Sequence, residues 1–246
     1  PNPFLNSDRI FVSLMKVVPY KDSEKSKKAQ VSEMFDGISK EYDRMNRLIT
    51  FGVDLKWRKR LINAVLALKP QRILDVATGT GDLAIALAQQ SDAQVTGLDL
   101  SSGMLDVGKN KVKHHGLQDR VDMVLGDSES LPFETNAFDA VTVAFGVRNF
   151  ESLSKGIQEI HRVLKPGGTL AVLETSKPTN PIFKFGYWLH TGILMPLISK
   201  VLASDPKAYT YLVDSASSFP YNQAFTSILL EAGFSKASFH KQTLGA

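Results

Sequence analysis

Cysteine is absent from the 246 residues. Disulfides, thiolate metal sites and cysteine nucleophiles are therefore excluded, and the composition suits a reducing compartment. Histidine is scarce and poorly spaced for a metal. His114 and His115 are adjacent, so both rings cannot share one helical face, and His161, His190 and His240 lack companion ligands at useful spacing. No metal site is expected. Neither sign of charge is in large excess, since 29 Lys and Arg stand against 25 Asp and Glu for a formal net charge of +4. That balance permits an acidic partner or an anionic membrane surface without requiring either, and no basic face is concentrated enough to point to nucleic acid. Long apolar runs are missing too. The most apolar stretch, residues 181–203, is interrupted by Lys184, His190, Pro196 and Lys200, which is too broken for a membrane span. Neither a secretory leader nor an Arg- and Ser-rich transit segment opens the chain. Nucleophile-elbow and phosphate-loop motifs and internal repeats are likewise missing.

What is present is an ordinary globular composition, 43% hydrophobic and 22% charged, in a chain long enough to bury a sizeable core. One cytoplasmic domain is expected. The chain opens on Pro1 rather than Met, which reads as a processed or engineered start; Met15 begins a second start, so residues 1–14 read as upstream sequence. Residues 16–30 are Lys- and Ser-rich and complete a flexible arm over 1–30. A helical cap over 31–68 follows. Val31, Met34, Phe35, Ile38, Tyr42, Met45 and Ile49 fall at helical spacing with Ser32 suited to cap the start, and DLKWRKRLINAVLAL carries a second helix stopped at Lys69-Pro70. Thereafter β-type runs alternate with helical or polar segments: RILDVA, QVTGLDL, RVDMVLG, FDAVTVAFG and GGTLAVLE. Such alternation predicts an α/β fold with a doubly wound, mostly parallel, Rossmann-like sheet flanked by helices. Right-handed crossovers then set every strand's C-terminal end on one edge. The regularity ends at Lys177, where a helical insertion over 177–216 is expected, then a helix over 221–232 and a final strand in FSKASFH.

ILDVATGTGDLAIALA sets a glycine-rich turn between a strand and a helix. Gly79 and Gly81 let backbone approach a ligand, and the helix start offers free N–H groups and a positive dipole end. Gly79, Gly81 and Ala84 satisfy G-x-G-x-x-G/A, and Asp99 lies twenty residues beyond Gly79, placed to accept from ribose hydroxyls. Nicotinamide enzymes and methyltransferases share this much. Asp75 separates them, because a carboxylate four residues before Gly79 suits a cationic or amino group and repels a pyrophosphate. GDSESLPF puts Asp127 and Ser128 on the same edge, within reach of an adenine amino group and ring. With RVLKPGGTLAVLE, these features resemble the class I S-adenosylmethionine-dependent methyltransferases, whose cofactor lacks phosphate but carries an ammonium and a sulfonium. Plain structural roles stand beside these: Asp75 capping the neighbouring turn, Asp99 capping the next helix unless Ser101 or Ser102 does, and Asp127 and Ser128 as loop residues.

MFDGISKEYDRMNRLITFGVDLKWR, LDVATGTGDLA, LPFETNAFDAVTVAFGVRNF, RVLKPGGTLAVLE and SDPKAYTYLVDSASSFP together are similar to the ubiquinone and menaquinone biosynthesis C-methyltransferases. The FG-x-RN segment, YD-x-MN and the Trp-Arg pair after FG-x-D discriminate best. The resemblance runs from about residue 30 to the C-terminus. It implies methyl transfer from S-adenosylmethionine to a ring carbon of a polyprenylated quinol, either demethylmenaquinol or a methoxybenzoquinol. Cofactor contacts carry over to Thr80, Asp99, Asp127 and Ser128, and the set expected on this edge adds Asp75, Ala77, Gly79, Gly81, Leu100 and the backbone of Ala144, where many relatives have serine. Relatives continue past TLGA with a further strand, which implies a truncated C-terminus.

Arg148 and Asn149, at the mouth of the fourth strand, are the expected catalytic pair. A guanidinium charged at every working pH is a poor base but a good stabiliser of a developing phenolate, with Asn149 orienting it or the second ring oxygen. The structural alternative pairs Arg148 with an acid such as Asp43. Tyr42, Asn46 and Phe145 are expected substrate contacts. The 181–203 segment, with Phe183, Phe185, Tyr187, Trp188 and Leu194, offers a channel for the prenyl tail, a homodimer interface or plain core. The Lys-rich arm suits either peripheral contact with anionic lipid or a solvated face. Competing functions are an NAD(P)-dependent oxidoreductase on the same turn, a non-catalytic interaction protein of this fold, and an RNA or protein methyltransferase.

Overall fold

The computed structural model of the chain describes residues 17–175, 185–186 and 188–242. Three helices come first, α1 (Lys27–Ile38), α2 (Tyr42–Ile49) and α3 (Val53–Leu66). The alternating part is β1 (Arg72–Val76), α4 (Asp82–Gln89), β2 (Gln94–Asp99), α5 (Ser102–His114), β3 (Val121–Leu125), β4 (Phe138–Ala144), α6 (Leu153–Val163) and β5 (Leu164–Leu173). Then α7 (Met195–Leu202), α8 (Pro206–Ser218) and α9 (Gln223–Glu231) follow. The five strands form one sheet in the order β3-β2-β1-β4-β5, and every pair is parallel.

Successive strand residues point to opposite faces, and both faces of this sheet are covered. Leu74, Val76, Val141 and Val143 pack with Ile157 and Ile160 of α6 and Ile228 of α9. On the other face Ile73, Val95 and Ala140 meet Ile62 and Val65 of α3 and Leu83 and Leu87 of α4. Neighbours such as Ile73 and Leu74 are both fully buried, each contributing about 2 kcal/mol by area. A third cluster joins Met34 and Ile38 of α1 and Met45 of α2 to Met104, Tyr209 and Tyr211. This last cluster holds the helical cap over the C-terminal edge of the sheet.

The cap departs from expectation at both ends of α1. The helix begins inside the stretch read as an arm, because Ser26 caps it by accepting from the Ala29 N–H (3.2 Å). Ser32 lies within the helix and donates instead to the Leu100 carbonyl at 3.2 Å. Lys27 is buried, its ammonium donating to the carbonyls of Arg148 (3.0 Å) and Phe150 (2.9 Å). Such partners lie more than a hundred residues away, so local composition gives no hint of them. The expected long first helix is two. Ser39 donates back to the Asp36 carbonyl (3.0 Å), which competes with the helix ladder just after Gly37. Asp36 in turn accepts from Ser101 Oγ (2.6 Å) and Gly103 N (2.8 Å), fastening this end of α1 to the start of α5.

The strand expected in FSKASFH does not form. None of the described strands pairs with it, and a strand without a ladder partner leaves its backbone groups to water. Residues 1–14, Phe183, Tyr187 and the TLGA end lie outside the described residues.

Candidate functional site

The strand order reverses between β1 and β4, and in open parallel sheets the crevice at the carboxyl ends of such strands is where ligands bind. Both strands end in strained turns. Ala77 (φ +54°) and Phe145 (φ +61°) adopt the left-handed region, at a cost of order 1 kcal/mol each for residues with a Cβ. Gly79 has φ +58°, and a Cβ built on it would meet no atom within 4 Å. A side chain there would stand in the cleft, not in the protein.

That cleft is lined by Asp75, Ala77, Gly79, Thr80, Asp99, Leu100, Asp127, Ser128 and Ala144, which the fold brings together on one edge. Gly81 is not among its walls; it caps α4, with Met123 Cε 3.1 Å from where its Cβ would be. Asp75 is buried at the end of β1. Its Oδ1 accepts from Thr142 Oγ1 (2.7 Å) and its Oδ2 from Thr78 Oγ1 (2.6 Å), so it braces the turn as well as facing the cleft. Burial pushes its carboxyl up to about 6, against the pull of those two hydroxyls. Asp99 accepts from Gly79 N (2.7 Å) and Ser101 N (2.9 Å), and burial raises its carboxyl too. Capping of α5 falls to Ser101, which accepts from Met104 N, so Asp99 is not the cap.

At the far end of the cleft Asp127 pairs with Lys28 of α1 at 2.5 Å. Thr80 has its hydroxyl committed, donating to Asp43 (2.6 Å) and accepting from Lys111 (3.2 Å). Lys111 pairs with Asp43 (2.9 Å) and Asp82, and Arg47 with Asp82 (2.6 Å) and Asp54. A charge network thus ties α2 to the start of α4.

Arg148 lies in a 3-10 turn, Val147–Asn149, directly after β4. Its partner is Glu174, which follows β5, and not Asp43; both side chains are only 7% exposed. Burial works against the guanidinium charge, but the Glu174 carboxylate, joined by Tyr42 and Tyr211, outweighs it and raises the Arg148 pKa. Glu174 Oε1 also accepts from Thr175 N (2.9 Å), while Oε2 and Arg148 Nε have no hydrogen-bond partner among the described residues. Asn149 accepts from the Tyr211 hydroxyl at 3.1 Å. Burial drives the Tyr211 and Tyr42 hydroxyls well above their ordinary pKa.

A second, mainly apolar cavity of about 380 Å³ adjoins the cleft, and Tyr42 and Phe145 are walls of both. Asn46, Ile49, Phe51, Trp57 and Arg148 line it with Met195, Tyr209, Leu212, Val213 and Ala216. From the apolar 181–203 segment only Gly186, Thr191 and Met195 contribute to the described lining. Phe185, Trp188 and Leu194 are instead exposed (66%, 57% and 38%), because an apolar run this wide covers two faces and periodicity does not say which turns inward. Sequence reasoning missed Lys28, Arg58, Glu174 and Tyr211. Glu174 carried a usable signal: like Asp75 and Asp99, it is an acid at the carboxyl end of a strand.

Open space above Gly79, a buried carboxylate where an ammonium would sit and further carboxylates along the edge fit a zwitterionic nucleoside cofactor and not a pyrophosphate. Fold and site define a class I S-adenosylmethionine-dependent methyltransferase. A solved structure from Bacillus halodurans assigned as a methyltransferase aligns with TM-score 0.54 and 27% identity, covering 72% of this chain and 68% of that one. The model of the ubiE/COQ5 methyltransferase family matches residues 23–246, and the chain belongs to that family. It is 42% identical over 231 residues to the demethylmenaquinone methyltransferase of Bacteroides fragilis, 94% of each chain. It is 40% identical over 228 residues to the ubiquinone/menaquinone biosynthesis C-methyltransferase UbiE of Geotalea daltonii, 92% of this chain and 96% of that one. The family decides against the nicotinamide reading.

Proposed function

We propose that the chain methylates a ring carbon of a reduced, polyprenylated quinone, with demethylmenaquinol the ring taken in preference to a methoxybenzoquinol. Relatives named for demethylmenaquinone support the ring choice. The observation that carries the reading is the shared wall. Tyr42 and Phe145 border both the carboxylate-lined cleft and the apolar cavity, so a cofactor in one meets a ring in the other across a single contact.

When bound, S-adenosylmethionine supplies an electrophilic methyl group on a sulfonium. Asp75 faces its ammonium, Asp99 its ribose, and Asp127 with Ser128 its adenine; Ala77, Gly79, Leu100 and Ala144 pack against it, and Thr80 acts through backbone because its hydroxyl is engaged. The ring carbon becomes nucleophilic only when an ortho hydroxyl ionises and returns electron density to it. Arg148, on the wall of the apolar cavity, stabilises that phenolate by a charge-assisted hydrogen bond. Glu174 behind it makes the burial of the guanidinium tolerable and fixes its direction. Asn149, on the wall of the cofactor cleft and held by Tyr211, orients the second ring oxygen from that side, and Asn46 offers a polar contact in the mainly apolar chamber. The prenyl tail occupies the stretch lined by Leu212, Val213 and Ala216.

Among the described residues no helix is long and apolar enough to cross a membrane. Phe51, at the cavity wall, is 67% exposed, and Leu55, Phe185, Trp188 and Leu197 are exposed as well. Exposed Lys56, Lys59 and Arg60 accompany Leu55 on α3. This combination suits peripheral contact with an anionic lipid surface, the phase in which a polyprenylated substrate dissolves. A homodimer through the same apolar side chains is the competing use, and sedimentation of the protein alone separates the two.

The test is methylation of both reduced ring types with S-adenosylmethionine, read by mass spectrometry of the lipid product. Methylated demethylmenaquinol is expected. Turnover of the benzoquinol alone would overturn the ring choice, and no product from either would overturn the reaction.

A further inference from the structure

We infer that Arg58, on α3, is the receptor for the carboxylate of the cofactor's amino-acid end. This rests on S-adenosylmethionine being the cofactor. That end of the molecule is a zwitterion, and Asp75 answers only its ammonium. A carboxylate taken from water into the cleft needs a donor of its own, or its desolvation goes uncompensated.

Two basic side chains line the cleft, Lys28 and Arg58. Lys28 is paired with Asp127 at 2.5 Å, at the end away from Asp75. Arg58 belongs to the Asp75 end. Its positive charge acts on Asp75, Asp82 and Tyr42, and its guanidinium carbon lies 5.4 Å from the centre of the Phe145 ring, the residue that turns the chain away from β4.

The side chain is only 13% exposed, yet it makes no hydrogen bond to any described residue, and its Nε is buried without a partner. Its ion-pair neighbour, Asp54 Oδ2, is 3.6 Å from Nε, beyond hydrogen-bond reach, and already accepts from Arg47. A guanidinium in that state is built for a ligand. Its planar fork matches a carboxylate through two parallel N–H bonds, which an ammonium cannot do. The Trp57-Arg58 pair, one of the marks of the family resemblance, thereby divides its labour: Trp57 packs 6.4 Å from Phe145 at the apolar cavity, and Arg58 faces the cofactor cleft.

Calorimetry on the intact protein with three ligands tests this: S-adenosylmethionine, decarboxylated S-adenosylmethionine, and 5′-methylthioadenosine, which lacks the amino-acid end. Arg58→Gln is expected to weaken S-adenosylmethionine about 10- to 100-fold, the range for a charged hydrogen-bond pair, and to shift the other two less than about threefold. Arg58→Lys keeps charge without the fork and falls between. If the Gln variant does not fold, judged by thermal unfolding without ligand, the same selective loss in Arg58→Lys carries the test. Unchanged S-adenosylmethionine affinity, or equal weakening of all three ligands, overturns the proposal. Wild-type protein that binds none of the three overturns the cofactor reading with it, a different and recognisable result.

Discussion

Lowering the pH from 7 to 5 is expected to weaken S-adenosylmethionine binding about tenfold through Asp75 alone. In the unliganded protein burial has raised this carboxyl from 3.8 to about 6. An ammonium binds the ionised form and pulls the pKa back down, so affinity is full above about 6 and is lost as the pH falls through it. The ionised fraction drops from about nine-tenths at pH 7 to about one-tenth at pH 5, a difference of about 1.4 kcal/mol in binding. Near pH 6 the ligand must also expel about half a proton, which calorimetry in two buffers of different protonation enthalpy measures directly. Asp99, whose carboxyl is raised as well, adds its own slope, and Asp75→Asn isolates the difference. That variant should bind at pH 7 about as weakly as the protonated wild type and should lose the Asp75 part of the slope. Wild-type affinity flat from pH 5 to 7 without proton release would refute the assignment, as would an unchanged slope in Asp75→Asn. The same group acts on the fold with the sign expected of a raised acid. Its stabilising contribution is complete below the unfolded value of 3.8 and is lost as the pH rises through about 6, worth about 3 kcal/mol in the unliganded protein.

Other perturbations probe other parts of the site. Arg148→Lys keeps a charge but loses the fork, and should lower kcat about 100-fold with cofactor affinity unchanged by calorimetry; full turnover would remove Arg148 from the mechanism. Glu174→Gln strands a buried guanidinium, so thermal and denaturant unfolding should show a loss of about 3 to 5 kcal/mol, and stability within about 1 kcal/mol of wild type would show the pair to be dispensable. Gly146→Ala would set a Cβ 2.5 Å from the Ala77 Cβ, so overpacking of about 1–3 kcal/mol and weakened cofactor binding are expected together. Leu55→Ser with Trp188→Ser should cut co-sedimentation with anionic vesicles several-fold without altering S-adenosylmethionine binding, and equal vesicle binding would discard the apolar rim as the contact.

The order of strands and helices from Arg72 to Leu173 was legible because it is written in local periods and punctuation. A glycine turn between a strand and a helix, acids at successive strand ends and one crossover hand are enough to bring Asp75, Gly79, Asp99 and Asp127 to one edge. The Arg-Asn step after VTVAFG was legible for the same reason, since an apolar strand that ends in a cation must end at a surface or a site. What the sequence could not decide was pairing across distance. Lys27 reads as one more lysine of a basic arm until its ammonium is found on the carbonyls of Arg148 and Phe150. FSKASFH reads as a strand by its residues but finds no partner among the described strands. The sequence offered Arg148 an acid such as Asp43, and only the juxtaposition of the ends of β4 and β5 selects Glu174. By itself the sequence determined the scaffold, the cofactor edge and the place of the guanidinium, because these follow from neighbours along the chain. Tertiary structure alone decided which carboxylate meets which cation and which faces of the apolar helices line the cavity, because burial and ion pairing are settled among residues the chain brings together from far apart.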